Sequence, residues 1–293
     1  MDKELEKRIK EVRCLLFDLD GTLLTDDKRI TQYSADVLNR AREAGYRIAF
    51  STGRSLGALG GFTKPVGLVT DGISIGCAGG EIGYLSHDRV ERLKVDSFPL
   101  DVLRELLVFV LEHGLNFSLD GTGPRYYSKG LDYIETYRRD RERALRWGMK
   151  YPELIEIDRT GEAVEQALDG TVVKPMIWYR EPDELRFMDE WYASHPGFTR
   201  NSSGFNLVEV VPSEVNKAAA LEFACSRAGI PPERCCVFGD SENDISILKR
   251  AGVSVAMCSG FEAAKRSCDI VTAKGNNEDG AALEVERLFL GQG

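Results

Sequence analysis

LLFDLDGTLL, residues 15–24, is an apolar run that ends in two carboxylates, Asp18 and Asp20, separated by one leucine and followed by Gly21. The run reads as a buried strand. Side chains on a strand repeat with period two, so Asp18 and Asp20 are expected toward one side, close enough to repel. Such a pair calls for a cation beside it. Calcium-binding EF-hand loops also open D-x-D, but they need glycine at loop position 6, and Gly21 stands fourth counting from Asp18.

Outward from this stretch the chain alternates strands and helices. Residues 30–45 predict a helix with a Thr31 cap, Ala35, Leu38 and Ala41 at helical spacing, and Gly45 as its stop. YRIAFST (46–52) predicts a second strand and GLVT (67–70) a third. The last third repeats the rhythm from NKAAALEFACSRAG through CCVF, DISILKRAG, VSVAM, FEAAKRS and DIVT to GAALEVERLFL. This is the pattern of a doubly wound α/β fold, a parallel sheet with helices on both faces. Ligands of such sheets bind beyond the carboxyl ends of the strands, where Asp18, Thr52 and Asp240 all fall.

The middle breaks the rhythm with the aromatic and Gly/Pro-rich strands LNFSLDGTGPRYYSK, TVVKPMIWY and FNLVEVVP set around helices. An inserted α+β domain is expected over 97–212, so that 1–96 and 213–293 form one interrupted core. The junctions fall at Ser97–Pro99 and Pro212–Asn216.

A hydrophobic fraction of 43% and a charged fraction of 29% over 293 residues suit a folded globular chain with a sizeable core. A net charge of −9 repels nucleic acid and anionic membranes, so a small ligand is the expected partner. The one basic cluster, YRRDRERALRW (137–147), interleaves Arg with acids and reads as a solvated helix face. Seven cysteines, odd in number and without C-x-x-C, read as reduced core residues of a cytoplasmic protein. Neither an export signal nor a membrane span is legible.

A second acidic cluster, FGDSENDISIL (238–248), also follows an apolar run. Asp240 there reads as a turn residue and Asp244 as a helix cap, but two acidic strand ends in one sheet form a hard-oxygen site suited to Mg²⁺. Taken alone, Thr52 reads as a strand-end cap and Lys217 as a solvated helix lysine. Around a phosphoryl group, a hydroxyl and an ammonium are the groups its oxygens require.

The pieces DLDGTL, STGR, VNK and GDSEND, in that order, resemble the haloacid dehalogenase superfamily of phosphohydrolases, in its Cof-type subgroup with a large α+β cap. AGVSVAM and NNEDGAA resemble the same subgroup, although its usual Asn-Ala after VAM is Cys258-Ser259 here. The resemblance implies a Mg²⁺-dependent phosphatase acting on a small phosphorylated metabolite, a sugar phosphate or similar monoester. It implies Asp18 as nucleophile, Asp20 as general acid/base, and a metal held by Asp18, the Asp20 carbonyl and Asp240, with Asp244 in support. Thr52 and Lys217 match phosphoryl-binding positions, Asn243 and Arg54 match more loosely, and Lys174 resembles a cap lysine while reading equally as a surface charge. A carboxylate 4 Å from a phosphate dianion meets repulsion of about 8 kcal/mol at an effective dielectric of ~20. Mg²⁺ and Lys217 supply the cations the acidic pair calls for. Two rivals remain: a phosphomutase such as phosphomannomutase, which typically lacks TGR after the second strand, and a non-enzymatic phospho-receiver, which is shorter and lacks an acid two residues after its aspartate.

Overall fold

The computed structural model describes residues 2–86, 89–201 and 206–291. The chain first lays down β1 (Cys14–Phe17), β2 (Arg47–Phe50), β3 (Ile73–Gly76), β4 (Glu81–Leu85) and β5 (Val90–Val95). It continues with β6 (Asn116–Gly121), β7 (Arg125–Ser128), β8 (Leu154–Ile157), β9 (Val172–Trp178), β10 (Phe198–Asn201) and β11 (Leu207–Pro212). It returns with β12 (Cys235–Gly239), β13 (Val253–Ala256) and β14 (Ile270–Val271).

A five-stranded sheet of order β14-β13-β12-β1-β2 is parallel throughout, with β1 between strands from opposite ends of the chain. The period-two alternation is visible in what each strand residue touches. Leu15 and Phe17 join a core cluster with Val37, Leu38 and Val285 of helices on one face, while Cys14 and Leu16 join Leu221, Ala224 and Ile247 of helices on the other. Both faces are therefore covered, and a run of consecutive apolar residues is what such a strand needs. Phe17 and Phe238 stack at 4.7 Å across β1 and β12, directly below the two acidic strand ends.

The helix Gln32–Glu43 carries the expected Thr31 cap, whose side chain accepts from the Ser34 amide at 3.0 Å. GLVT (67–70), however, is a loop and not the third strand. Asn39 donates its side-chain N–H to the Gly67 carbonyl at 3.0 Å and accepts from the Val69 amide at 3.1 Å, satisfying backbone groups that a strand neighbour would otherwise take. The chain joins the sheet only at β3, through a parallel bridge between Ser51 and Ile75, and then turns into the antiparallel ladder β3-β4-β5.

Residues 116–212 build a separate six-stranded sheet of order β10-β11-β9-β6-β7-β8, so the fold is an α/β core carrying an α+β cap. Helices Leu100–Glu112 and Leu185–Ser194 cover one face of the cap sheet, burying Leu103, Leu107, Met188 and Trp191 against Phe117, Ile177 and Val208. Phe205, the first residue of the expected FNLVEVVP strand, lies outside the described residues. Among the described residues no helix is long and apolar enough to cross a membrane.

Candidate active site

Asp18 follows the last residue of β1, and its amide still donates to the Phe238 carbonyl at 2.9 Å. By alternation it shares the face of Cys14 and Leu16, the face on which the helix Lys217–Ala228 packs. Lys217 is the first residue of that helix, capped by Asn216, and its fully buried ammonium donates to Asp18 at 2.9 Å and to Asp244 at 2.5 Å. It also reaches the Asn243 side-chain oxygen at 3.4 Å. The solvated-lysine reading is therefore corrected: the helix start points this charge into the carboxylates.

Asp244 serves as both cap and site residue. One of its oxygens accepts from the Asp240 and Ser241 amides at 3.0 and 3.2 Å, and the other meets Lys217. Asp240 accepts from the Thr22 hydroxyl at 3.1 Å. Gly21 leaves it room: with φ at +82°, a Cβ on Gly21 would lie 2.4 Å from an Asp240 oxygen.

Asp18, Asp240 and Asp244 each offer an oxygen, and these oxygens lie within 4.8 Å of one another. Three carboxylates face one ammonium, and the imbalance shows at Asp18 and Asp240. Burial, partly offset by Lys217, pushes Asp18 well above the usual carboxylate range, with Asp244 and Asp240 adding to the rise. Burial and the Asp244 charge push Asp240 up to about 7. Burial lowers the Lys217 ammonium, but Asp18 and Asp244 outweigh it and leave its pKa raised. A hard oxygen donor set with uncompensated negative charge fits a small divalent cation.

Asp20 behaves differently from Asp18, although the two are expected on one side. The strand ends at Phe17, so the alternation does not carry on to position 20. Asp20 instead accepts from Arg54 at 2.6 and 2.9 Å and from Lys28 at 2.7 Å. It sits deep in the cleft while keeping 38% of its side chain accessible. Burial raises its pKa, but the two cations outweigh burial and hold the carboxyl well below the usual range.

Arg54 also reaches across to the cap, donating to buried Asp140 at 2.5 Å. Asp140 lies in the helix Ile134–Arg146, where Arg138, Arg139 and Arg146 stand exposed as expected but the opposite face is turned inward. Ile134, Tyr137, Asp140 and Ala144 form a buried stripe, and Ala144 presses against Gly61 of the core. Lys174 is likewise no surface charge. It is buried, donating to the Gly53 carbonyl at 2.7 Å and to Glu209 at 2.6 Å, so β9 of the cap rests on the STGR loop.

Thr52 is buried at the end of β2 and lines the same cleft as Asp18, Asp20, Arg54, Lys174, Asp240 and Asn243, a cavity of about 410 Å³. Sequence reading missed Lys28, Asp140 and Glu209 as members of this wall. Two of them carry a signal: Asp140 falls on the i, i+3, i+4 stripe of its helix, and Glu209 is the lone acid inside LVEVVP. A smaller cavity of about 220 Å³, lined by Cys14, Cys225 and Cys235, lies at the opposite end of β1. All seven cysteines are free.

A parallel sheet with carboxylates at adjacent strand ends, a buried lysine between them and a cap across the cleft is an arrangement suited to phosphoryl transfer. The chain belongs to the haloacid dehalogenase-like hydrolases, the family matching residues 15–285. It is similar over nearly its whole length to proteins named as phosphatases. The 5-amino-6-(5-phospho-D-ribitylamino)uracil phosphatase YitU of Bacillus subtilis is 26% identical over 278 residues, covering 94% of this chain and 97% of that protein. The pyridoxal phosphate phosphatase YbhA of Escherichia coli is 27% identical over 288 residues, covering 94% and 99%. Among solved structures, a haloacid dehalogenase-like hydrolase from Bacteroides thetaiotaomicron superimposes with a TM-score of 0.78 at 25% identity, covering 95% of this chain and 100% of that one.

Proposed function

We propose that the protein hydrolyses a small phosphorylated metabolite, a sugar phosphate or similar monoester, through a phosphoaspartate on Asp18, with Mg²⁺ as cofactor. The observation that carries this reading is the buried Lys217, which fixes one oxygen of Asp18 at the carboxyl end of β1 where the cleft opens. The pinned carboxylate has its other oxygen left to attack phosphorus.

In the first half-reaction a P–O bond forms to Asp18 while the ester P–O bond breaks, and Asp20 gives its proton to the departing alkoxide. In the second, water attacks the same phosphorus, Asp20 takes its proton, and the Asp18–P bond breaks. The ionised Asp20 described above suits the base half directly. The acid half requires Arg54 and Lys28 to turn from Asp20 to the substrate's phosphoryl oxygens. Thr52, Lys217 and Asn243 line the position those oxygens would take.

Asp18, Asp240, Asp244 and the Asp20 carbonyl would hold Mg²⁺. When bound, it supplies charge neutralisation between the nucleophile and the phosphoryl group. Residues 97–212 act as a cap that closes over the core of 1–96 and 213–293 and excludes bulk water.

The test is a panel of hexose, pentose and triose phosphates, nucleotides and pyridoxal phosphate, scored for inorganic phosphate. Many turnovers per enzyme are expected with Mg²⁺. EDTA should stop them, and Mg²⁺ should restore them better than Ca²⁺, which prefers higher coordination numbers and looser geometry. Full activity in chelator would remove the metal. Phosphate moved between positions of one sugar without release would indicate a mutase, and uptake of a single equivalent a receiver.

A further inference from the structure

We propose that Glu209 reads the alcohol half of the ester, accepting a hydrogen bond from a hydroxyl group beside the scissile bond. This rests on the phosphatase reading above and names the chemistry of its leaving group.

The register of the cap sheet places the residues. Lys174, Met176 and Trp178 alternate onto one face of β9, and Asp120 pairs Lys174 while Glu209 pairs Met176 and Leu207 pairs Trp178. Asp120, Lys174, Met176, Trp178, Leu207 and Glu209 all line the cleft. Because Lys174 touches Gly53, the charged end of this face lies at the STGR loop, and Trp178 lies about 13 Å farther along the strand.

Glu209 sits at that charged end. A Cβ on Gly53 would lie 3.4 Å from the Lys174 nitrogen and 3.8 Å from Glu209 Oε1, so the carboxylate abuts the loop between Thr52 and Arg54. The residue is 4% exposed. Its Oε1 accepts from Lys174, and among the described residues its buried Oε2 has no hydrogen-bond partner.

A buried acceptor without a donor is costly, and a carboxylate oxygen takes only donors. The phosphoryl group is an anion that Glu209 repels, so the donor must come from the other half of the ester. A hydroxyl on the carbon next to the ester carbon supplies one at the charged end of the cleft. The apolar end formed by Met176, Trp178 and Leu207 is left for whatever follows.

Glycerol 3-phosphate and n-propyl phosphate form a matched pair that differs in hydroxyls, and p-nitrophenyl phosphate reads the core reaction without either. The wild-type enzyme with Mg²⁺ is expected to favour the glycerol ester in kcat/KM by about tenfold or more, the scale of one unsatisfied buried acceptor. Glu209→Leu should bring that ratio close to one. If circular dichroism shows this variant unfolded because Lys174 has lost its partner, Lys174→Met with Glu209→Met removes both charges together, and the same collapse is expected. A wild-type ratio near one, or an undiminished ratio in a folded variant, overturns the assignment of Glu209 while p-nitrophenyl phosphate turnover keeps the phosphatase reading. Failure of the wild type on all three esters overturns both.

Discussion

Asp18→Asn is expected to cut phosphate release by at least about 10³-fold, on the scale seen when a covalent nucleophile is removed. An amide oxygen cannot form the acyl phosphate, whereas the side-chain volume is nearly unchanged. Lys217 keeps its contact with Asp244, so no buried cation is orphaned. The variant should also melt no lower than the parent in EDTA at neutral pH. Asp18 has a raised pKa in the fold, so the native state binds more protons than the unfolded chain above the ordinary carboxylate range, and stability falls as pH rises through that window. A neutral side chain removes that loss. Steady-state phosphate release and a thermal melt monitored by near-ultraviolet circular dichroism check both halves. Activity within tenfold of the parent in a folded variant removes Asp18 as nucleophile.

Asp20→Asn is expected to slow turnover by about 10² to 10⁴, the usual contribution of a positioned general acid or base. Both half-reactions lose their proton carrier. Arg54 retains its pairing with Asp140, so the contact between core and cap survives the substitution. Rapid-quench measurement should show phosphoryl transfer and phosphoenzyme breakdown both slowed for an ester with a poor leaving group. An ester with a good leaving group needs no acid, so only breakdown should suffer. A change below threefold in both steps would remove Asp20 as the general acid and base.

The sequence makes some of this legible because the relevant physics is local. The run of residues 14–17, flanked by strand-helix alternation, requires a buried parallel strand, and a carboxylate at its end must face the crevice. The cap at Thr31 and the stop at Gly45 are equally local. GLVT misleads because its apolar content fits a strand, while Asn39, distant in sequence, takes up its backbone groups. Asp18 and Asp20 look equivalent by spacing, yet the strand ends at Phe17 and its alternation does not carry on to position 20. One carboxylate meets Lys217 and the other meets Arg54 and Lys28, partners that only the folded chain brings in.

The cap side of the cleft is the least legible part. Asp140 is hidden among the arginines of 137–147, and only the placement of its helix against Gly61 turns it inward to Arg54. Lys174 and Glu209 are two unremarkable charges until β9 and β11 pair, after which they form one buried ion pair resting on the Gly53 carbonyl. Strand alternation predicts which residues share a face. It does not say what lies opposite that face.

The covalent intermediate is the centre of the account, and mass spectrometry of enzyme acid-quenched during steady-state turnover with Mg²⁺ tests it most directly. The predicted result is hydroxylamine-labile phosphate on the peptide carrying Asp18 while inorganic phosphate continues to accumulate; sustained release with that peptide unmodified, or with the phosphate on another residue, would contradict it.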